Sequence, residues 1–224
     1  MSTVDQAAHA GARPDVGRLV VLPAAVVLAV AGAASLVRGA AHADATAGTG
    51  ALRWLTALLS CCFYVLAGWC YLRRGRAVAT RRSIPAHLAA VTATVTPFAF
   101  GFLPVTPAGA ARSAMAAVLL LAGTAWSVWA VRSLGRSVGI LAQARRVVHS
   151  GPYRWVRHPL YVGELVAAAG LALVAGTAAA AGLWLVLCGL QVYRAGHEEA
   201  VLAAALPDYV GYRARTAALL PGVF

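Results

Sequence analysis

The chain has 224 residues, 61% of them hydrophobic and only 12% charged, with a mean hydropathy of +0.74. Soluble domains carry about twice that charged fraction, so composition excludes a soluble globular protein and predicts an integral membrane one. The formal charge is +12, and every basic residue is Arg. These Arg residues cluster in short loops between apolar spans, a pattern that matches anionic lipid head groups and argues against nucleic acid as a partner.

Residues 1–17 read as a short polar, disordered lead without a cleavage-site pattern, so the first span acts as an uncleaved anchor. Four apolar spans follow, at about Leu19–Val37, Leu52–Leu72, Ile84–Leu103 and Ser113–Leu134, each long enough for a hydrocarbon core of about 30 Å. Pro97 predicts a kink in the third. A dense basic loop, Arg73, Arg74, Arg76, Arg81 and Arg82, separates the second span from the third. A second polar loop, 135–158, holds Arg136, Arg145, Arg146, Arg154 and Arg157. Two shorter apolar stretches, Pro159–Ala175 and Ala178–Tyr193, flank Gly176-Thr177. They form two spans or a partly re-entrant hairpin, and two spans are favoured. The tail 194–224 is amphipathic and helical as far as Leu206-Pro207.

The loops after spans two and four are strongly basic, while those after spans three and five are nearly bare. The expectation is an all-α polytopic bundle of about six transmembrane helices, both termini cytoplasmic, in a bacterial plasma membrane. The units are 1–17, four N-terminal helices over 18–134, and a core over 135–224. Cys61, Cys62, Cys70 and Cys188 lie in apolar spans without zinc-ligand spacing, so they read as packing residues and no metal is expected.

One stretch stands apart from the Ala, Leu and Val around it: Ser150-Gly151-Pro152-Tyr153-Arg154-Trp155-Val156-Arg157-His158-Pro159-Leu160-Tyr161-Val162-Gly163-Glu164. Gly151-Pro152 is a turn signal, and Pro159 suits the first turn of a helix. Arg157 and His158 then sit at a membrane interface, with Glu164 one and a half turns inside, where an ionisable side chain marks a functional site. Further on, Arg194 and Glu198 are four residues apart on one helix face, followed by Glu199, Tyr209 and Tyr212.

The run Gly-Pro-Tyr-x-x-x-Arg-His-Pro-x-Tyr-x-Gly, with Arg194-Ala195-Gly196-His197-Glu198-Glu199-Ala200-Val201-Leu202, resembles the signature of the isoprenylcysteine carboxyl methyltransferase and phospholipid methyltransferase group. The resemblance covers about residues 132–221. It implies an integral membrane methyltransferase that uses S-adenosyl-L-methionine. By resemblance, Val147, Val148, Tyr153, His158, Pro159, Leu160, Tyr161 and Glu198 line the cofactor site. Arg194 holds the substrate and shares catalysis with Glu198, and Glu164 is a further substrate contact. The chain departs from the family pattern at Leu206-Pro207-Asp208.

Each site has a plainer reading. Arg157 and His158 could anchor a helix at the interface, Arg194 and Glu198 could be an exposed ion pair, and Tyr209 and Tyr212 could be interfacial aromatics. Glu164 could pair with Arg157, while Glu164, Glu199 or His197 could accept a proton from a thiol or amine. The implied acceptor is lipophilic and enters from the bilayer, without an obligatory protein partner. The first expectation is carboxyl O-methylation of an isoprenoid or prenylcysteine-like compound, with a phospholipid amine or small thiol next. The rivals are an NADPH-dependent reductase of the sterol reductase type and a non-catalytic membrane protein. The Glu198-Glu199 pair disfavours the reductase, because a 2′-phosphate site calls for Arg.

Overall fold

A computed structural model describes residues 22–23, 25–30, 33–34, 37, 47–73, 79–80, 83–135, 143–144 and 147–220. The expected polar lead 1–17 and Arg74, Arg76, Arg81, Arg82, Arg136, Arg145 and Arg146 lie outside the described residues. Helical residues occur at 22–23, 25–30, 33–34 and 37. Among the described residues six helices follow: α1 (Ala47–Arg73), α2 (Ile84–Ala99), α3 (Ala110–Leu134), α4 (Pro159–Ala175), α5 (Ala178–Ala205) and α6 (Pro207–Arg213). The all-α membrane bundle is therefore present. Among the described residues three helical segments, Ile84–Phe102, Ala110–Leu134 and Ala178–Ala205, are long and apolar enough to cross a membrane, and α4 is a shorter apolar helix.

Local chemistry explains the boundaries. Ser83 caps α2 by accepting from the Ala86 N–H, and Thr177 caps α5 by accepting from the Ala180 N–H. Pro97 lies inside α2, which runs on to Ala99 and then tightens into a 3-10 turn, Phe100–Phe102. Upstream, the Thr94 and Thr96 hydroxyls donate back to the Ala90 and Thr92 carbonyls at 2.7 Å. Gly176 ends α4 with φ 67°, the left-handed cap that glycine adopts without a Cβ penalty.

The tightest helix pair is α3 against α4, and small residues make it so. A Cβ on Gly123 would meet the Ala167 backbone. One on Gly163 would lie 2.8 Å from the Gly123 carbonyl oxygen, and one on Gly170 2.8 Å from the Ala116 carbonyl oxygen. Lipid supplies no hydrophobic drive between helices, so close backbone approach through Gly and Ala is what holds such a pair. Two indoles tie α4 further: the Trp126 N–H donates to the Pro159 carbonyl at 2.8 Å, and the Trp184 N–H to the Leu165 carbonyl at 2.9 Å. A separate apolar cluster joins Ala93 and Phe100 to Ala168, Ala175, Ala180 and Leu187.

The hairpin of α4 and α5 crosses the bundle fully. Its turn at Gly176 reaches the end where α2 finishes and α3 begins. There the Thr106 N–H donates to the Ala175 carbonyl at 2.9 Å, and Arg112 donates to the Thr106 carbonyl at 2.6 Å. At the opposite end, Ala79–Thr80 and Gln143–Ala144 pair as a short antiparallel ladder. The described parts of the two connections, Ala79–Thr80 and Gln143–Ala144, are thereby held together.

One boundary differs from expectation. The sequence breaks a span near Tyr193 from an amphipathic tail, but α5 is a single 28-residue helix. Arg194, Glu198 and Glu199 ride on it, so a rigid rod positions them. At ~1.5 Å per residue it is ~42 Å long, which carries its last turns beyond a ~30 Å hydrocarbon core.

Candidate active site

The site is built where the start of α4 meets the end of α5. Val147 and Val148 lead into a 3-10 turn, Gly151–Arg154. Gly151 has φ 61°, and a Cβ there would collide with the Ser133 side chain. That turn buries Pro152 and Tyr153, and Tyr153 packs with Val148, Ala130, Leu134 and Leu160. Val148 thus sits under the same floor as Tyr153. His158 is the residue before α4, with Pro159 at the first helical position as expected.

Tyr161 joins the two halves of the site. Its hydroxyl donates a short hydrogen bond to Oε1 of Glu198, and the Arg194 guanidinium lies 4.6 Å from the centre of its ring. Its other neighbour is the His158 ring, stacked at 5.3 Å with 8° between planes. Arg194 and Glu198 thus act through a shared aromatic rather than as a plain exposed pair, and Arg194 is buried.

Glu199, beside Glu198 in sequence, has a different task. Its Oε1 receives Nε of Arg157 at 2.7 Å and lies 3.2 Å from Nε2 of His158, while its Oε2 lies 3.3 Å from Nε of Arg213. Arg157 also donates to the main-chain carbonyls of Arg213, at 3.0 Å, and of Thr216. Its own N–H and that of His158 donate to the Ala217 and Ala218 carbonyls at 2.8 and 3.0 Å. The segment after α6 is thereby strapped across the start of α4.

Three expectations need correction. Glu164 does not pair with Arg157; it accepts from Nε2 of Gln191 at 2.6 Å. Glu199 is no proton acceptor in waiting, because both its oxygens are engaged by cations. His197 is half-buried and engaged within its own helix: it packs on Tyr193 at 4.4 Å, with Nδ1 3.3 Å from that residue's carbonyl oxygen.

Tyr209 and Tyr212 are buried, so they are not lipid-facing anchors. Despite Leu206-Pro207-Asp208, α6 turns both inward, with Pro207 at its first position. The Tyr212 hydroxyl donates to the Tyr153 carbonyl at 2.5 Å. Burial pushes the Tyr153, Tyr209 and Tyr212 hydroxyls up, Tyr212 to about 12, so all three are neutral donors near pH 7.

Sequence reasoning missed Gln191, Arg213 and Thr216. Gln191 carried a readable signal, a polar residue inside an apolar span. Arg213 and Thr216 carried none, since their roles depend on where the strap lands.

The model of the phospholipid methyltransferase family matches residues 111–206. The match takes in α3, the polar loop, α4 and all of α5, and so includes both halves of the site. Over that segment the chain is similar to the phospholipid methyltransferase family. The match supports a membrane methyltransferase, and α3, the helix packed on α4 through Gly123, lies within the matched segment. No curated protein matches the chain.

The residues present suit a methyl donor of the sulfonium class. The buried Tyr209 hydroxyl lacks a hydrogen-bond partner among the described residues. Glu198 is partly exposed beside the rings of Tyr161 and His158. An acceptor-only carboxylate fits ribose hydroxyls, aromatic faces fit an adenine or a sulfonium, and a hydroxyl donor fits a carboxylate.

Proposed function

We propose that the protein is an S-adenosylmethionine-dependent methyltransferase acting on a lipophilic acceptor that enters sideways from the bilayer between helices. The reading assigns Val147, Val148, Tyr153, His158, Pro159, Leu160, Tyr161 and Glu198 to the cofactor, and Arg194 with Glu164 to the acceptor. S-adenosylmethionine supplies an electrophilic methyl group when bound.

The observation that carries this reading is the Tyr161 junction, where one aromatic touches both the carboxylate of the cofactor side and the guanidinium of the acceptor side. Arg194, buried and seated on a ring, is suited to hold an anionic acceptor group in line. A carboxylate acceptor is already ionised at neutral pH and needs no base. That favours carboxyl O-methylation of an isoprenoid or prenylcysteine-like compound. The family match favours a second reading, N-methylation of a phospholipid amine, for which Glu164 is the carboxylate able to take a proton, since Glu199 is locked. In either case the site is taken to face the cytosol, where the cofactor is made.

Calorimetric titration of detergent-purified protein with S-adenosylhomocysteine, beside NADPH, tests the cofactor. Micromolar binding of the former alone is expected, and NADPH binding alone would move the protein to the reductase class. Labelled methyl donor with N-acetyl-S-farnesylcysteine, or with phosphatidylethanolamine vesicles, then separates the two acceptors.

A further inference from the structure

Gln191 is 0% exposed in the middle of an apolar helix. Both ends of its amide are used: Oε1 accepts from Nη1 of Arg194 at 3.1 Å, and Nε2 donates to Oε2 of Glu164 at 2.6 Å. A buried amide is costly unless both ends are satisfied. Its polarity also permits only one arrangement here, because guanidinium offers only donors and carboxylate only acceptors.

From this geometry we propose that Gln191 is a positioning residue of the acceptor site, holding Arg194 on Tyr161 and standing between it and Glu164. The inference rests on the acceptor-side reading of Arg194 above. Glu164 on α4 and Arg194 on α5 carry opposite charges within the same buried layer. A direct pair between them would draw the guanidinium toward α4 and commit its charge to Glu164. The amide takes up both groups instead. It gives Glu164 a neutral donor and leaves the guanidinium seated over the Tyr161 ring, 4.6 Å from its centre and one hydroxyl away from Glu198. The spacing belongs to α5 itself: Gln191 and Arg194 are three apart, hence on one face. Gln191 orients through Arg194: among the described residues its side-chain hydrogen bonds go to Arg194 and Glu164 and not to Tyr161 or Glu198.

Two substitutions in the full-length, detergent-purified protein test this, with acceptor KM, kcat, S-adenosylhomocysteine affinity and thermal midpoint measured together. Gln191→Leu keeps the volume and removes both hydrogen bonds. Gln191→Glu is isosteric and offers Arg194 a competing carboxylate. The acceptor is N-acetyl-S-farnesylcysteine or phosphatidylethanolamine vesicles, whichever the wild type methylates. Both variants are expected to raise acceptor KM about tenfold or more while S-adenosylhomocysteine affinity stays within about twofold. Gln191→Glu also sets a carboxylate against Glu164, so its midpoint is expected to fall, and the split between acceptor KM and cofactor affinity carries the test.

Parallel losses of acceptor KM, cofactor affinity and midpoint in both variants would overturn the proposal in favour of a purely structural amide. Unchanged acceptor KM in Gln191→Glu would overturn it outright. A wild type that binds S-adenosylhomocysteine but shows either pattern leaves the methyltransferase reading standing. A wild type that binds no S-adenosylhomocysteine and methylates neither acceptor removes that reading and this inference with it.

Discussion

Nε of Arg157 lies 2.7 Å from Oε1 of Glu199, with both side chains buried, although 42 positions separate them in the chain. The contact makes the Arg of the first motif half and the second Glu of the other half a lock rather than a ligand site. Through the carbonyls of Arg213 and Thr216, the same guanidinium fastens the C-terminal strap.

Breaking that lock should cost stability more than chemistry. Glu199→Gln leaves Arg157 buried without its counter-charge, a class of change worth about 3–5 kcal/mol. The expected result is a large fall in thermal midpoint in detergent, with faster proteolysis after Arg213. An unchanged midpoint would show that the pair is not needed to close the strap.

Tyr161→Phe keeps the ring beneath Arg194 and removes only the hydroxyl donated to Glu198. A hydrogen bond to a charged group contributes about 1.5–3 kcal/mol. S-adenosylhomocysteine affinity should therefore fall about tenfold or more, and Glu198→Ala should abolish binding. If both variants bind as tightly as wild type, Glu198 does not serve the cofactor.

The α3–α4 contact gives a matched pair of glycine substitutions. Gly123→Ala places a methyl group against the Ala167 backbone, whereas a Cβ on Gly182 of α5 would have nothing within 4 Å. Overpacking costs about 1–3 kcal/mol, while an unobstructed helical Gly→Ala gains up to about 1 kcal/mol. Thermal melts should move in opposite directions for the two.

Alkali should loosen the strap through Tyr212. Burial raises its hydroxyl from 10.0 to about 12, with Arg157 pulling the other way. A raised folded-state value means that its contribution is complete below pH 10 and is lost as pH climbs from 10 to about 12. Tyr212→Phe gives up the bond to the Tyr153 carbonyl, about 1 kcal/mol at neutral pH. In return it should flatten the decline of stability over that window, as read from midpoints measured between pH 8 and 12.

The sequence by itself determined the membrane class, the positions of the apolar helices, the start of α4 at Pro159 and the two motif halves. These are local properties: runs of apolar residues, a proline that suits a first turn, and two short signatures. Only the tertiary structure decided what each half does. Glu198 and Glu199 are identical in kind and adjacent, but successive helical residues point about 100° apart, so one meets Tyr161 and the other Arg157. Which of them faces the cofactor side depends on how α5 is rotated against α4. That rotation follows from the packing around α4, where Gly123 and Gly163 bring α3 close and Trp184 ties α5 to the Leu165 carbonyl. The roles of Gln191 and of the strap carbonyls depend on the same packing, since Glu164 lies 27 positions from Gln191 and Arg157 lies 56 from Arg213.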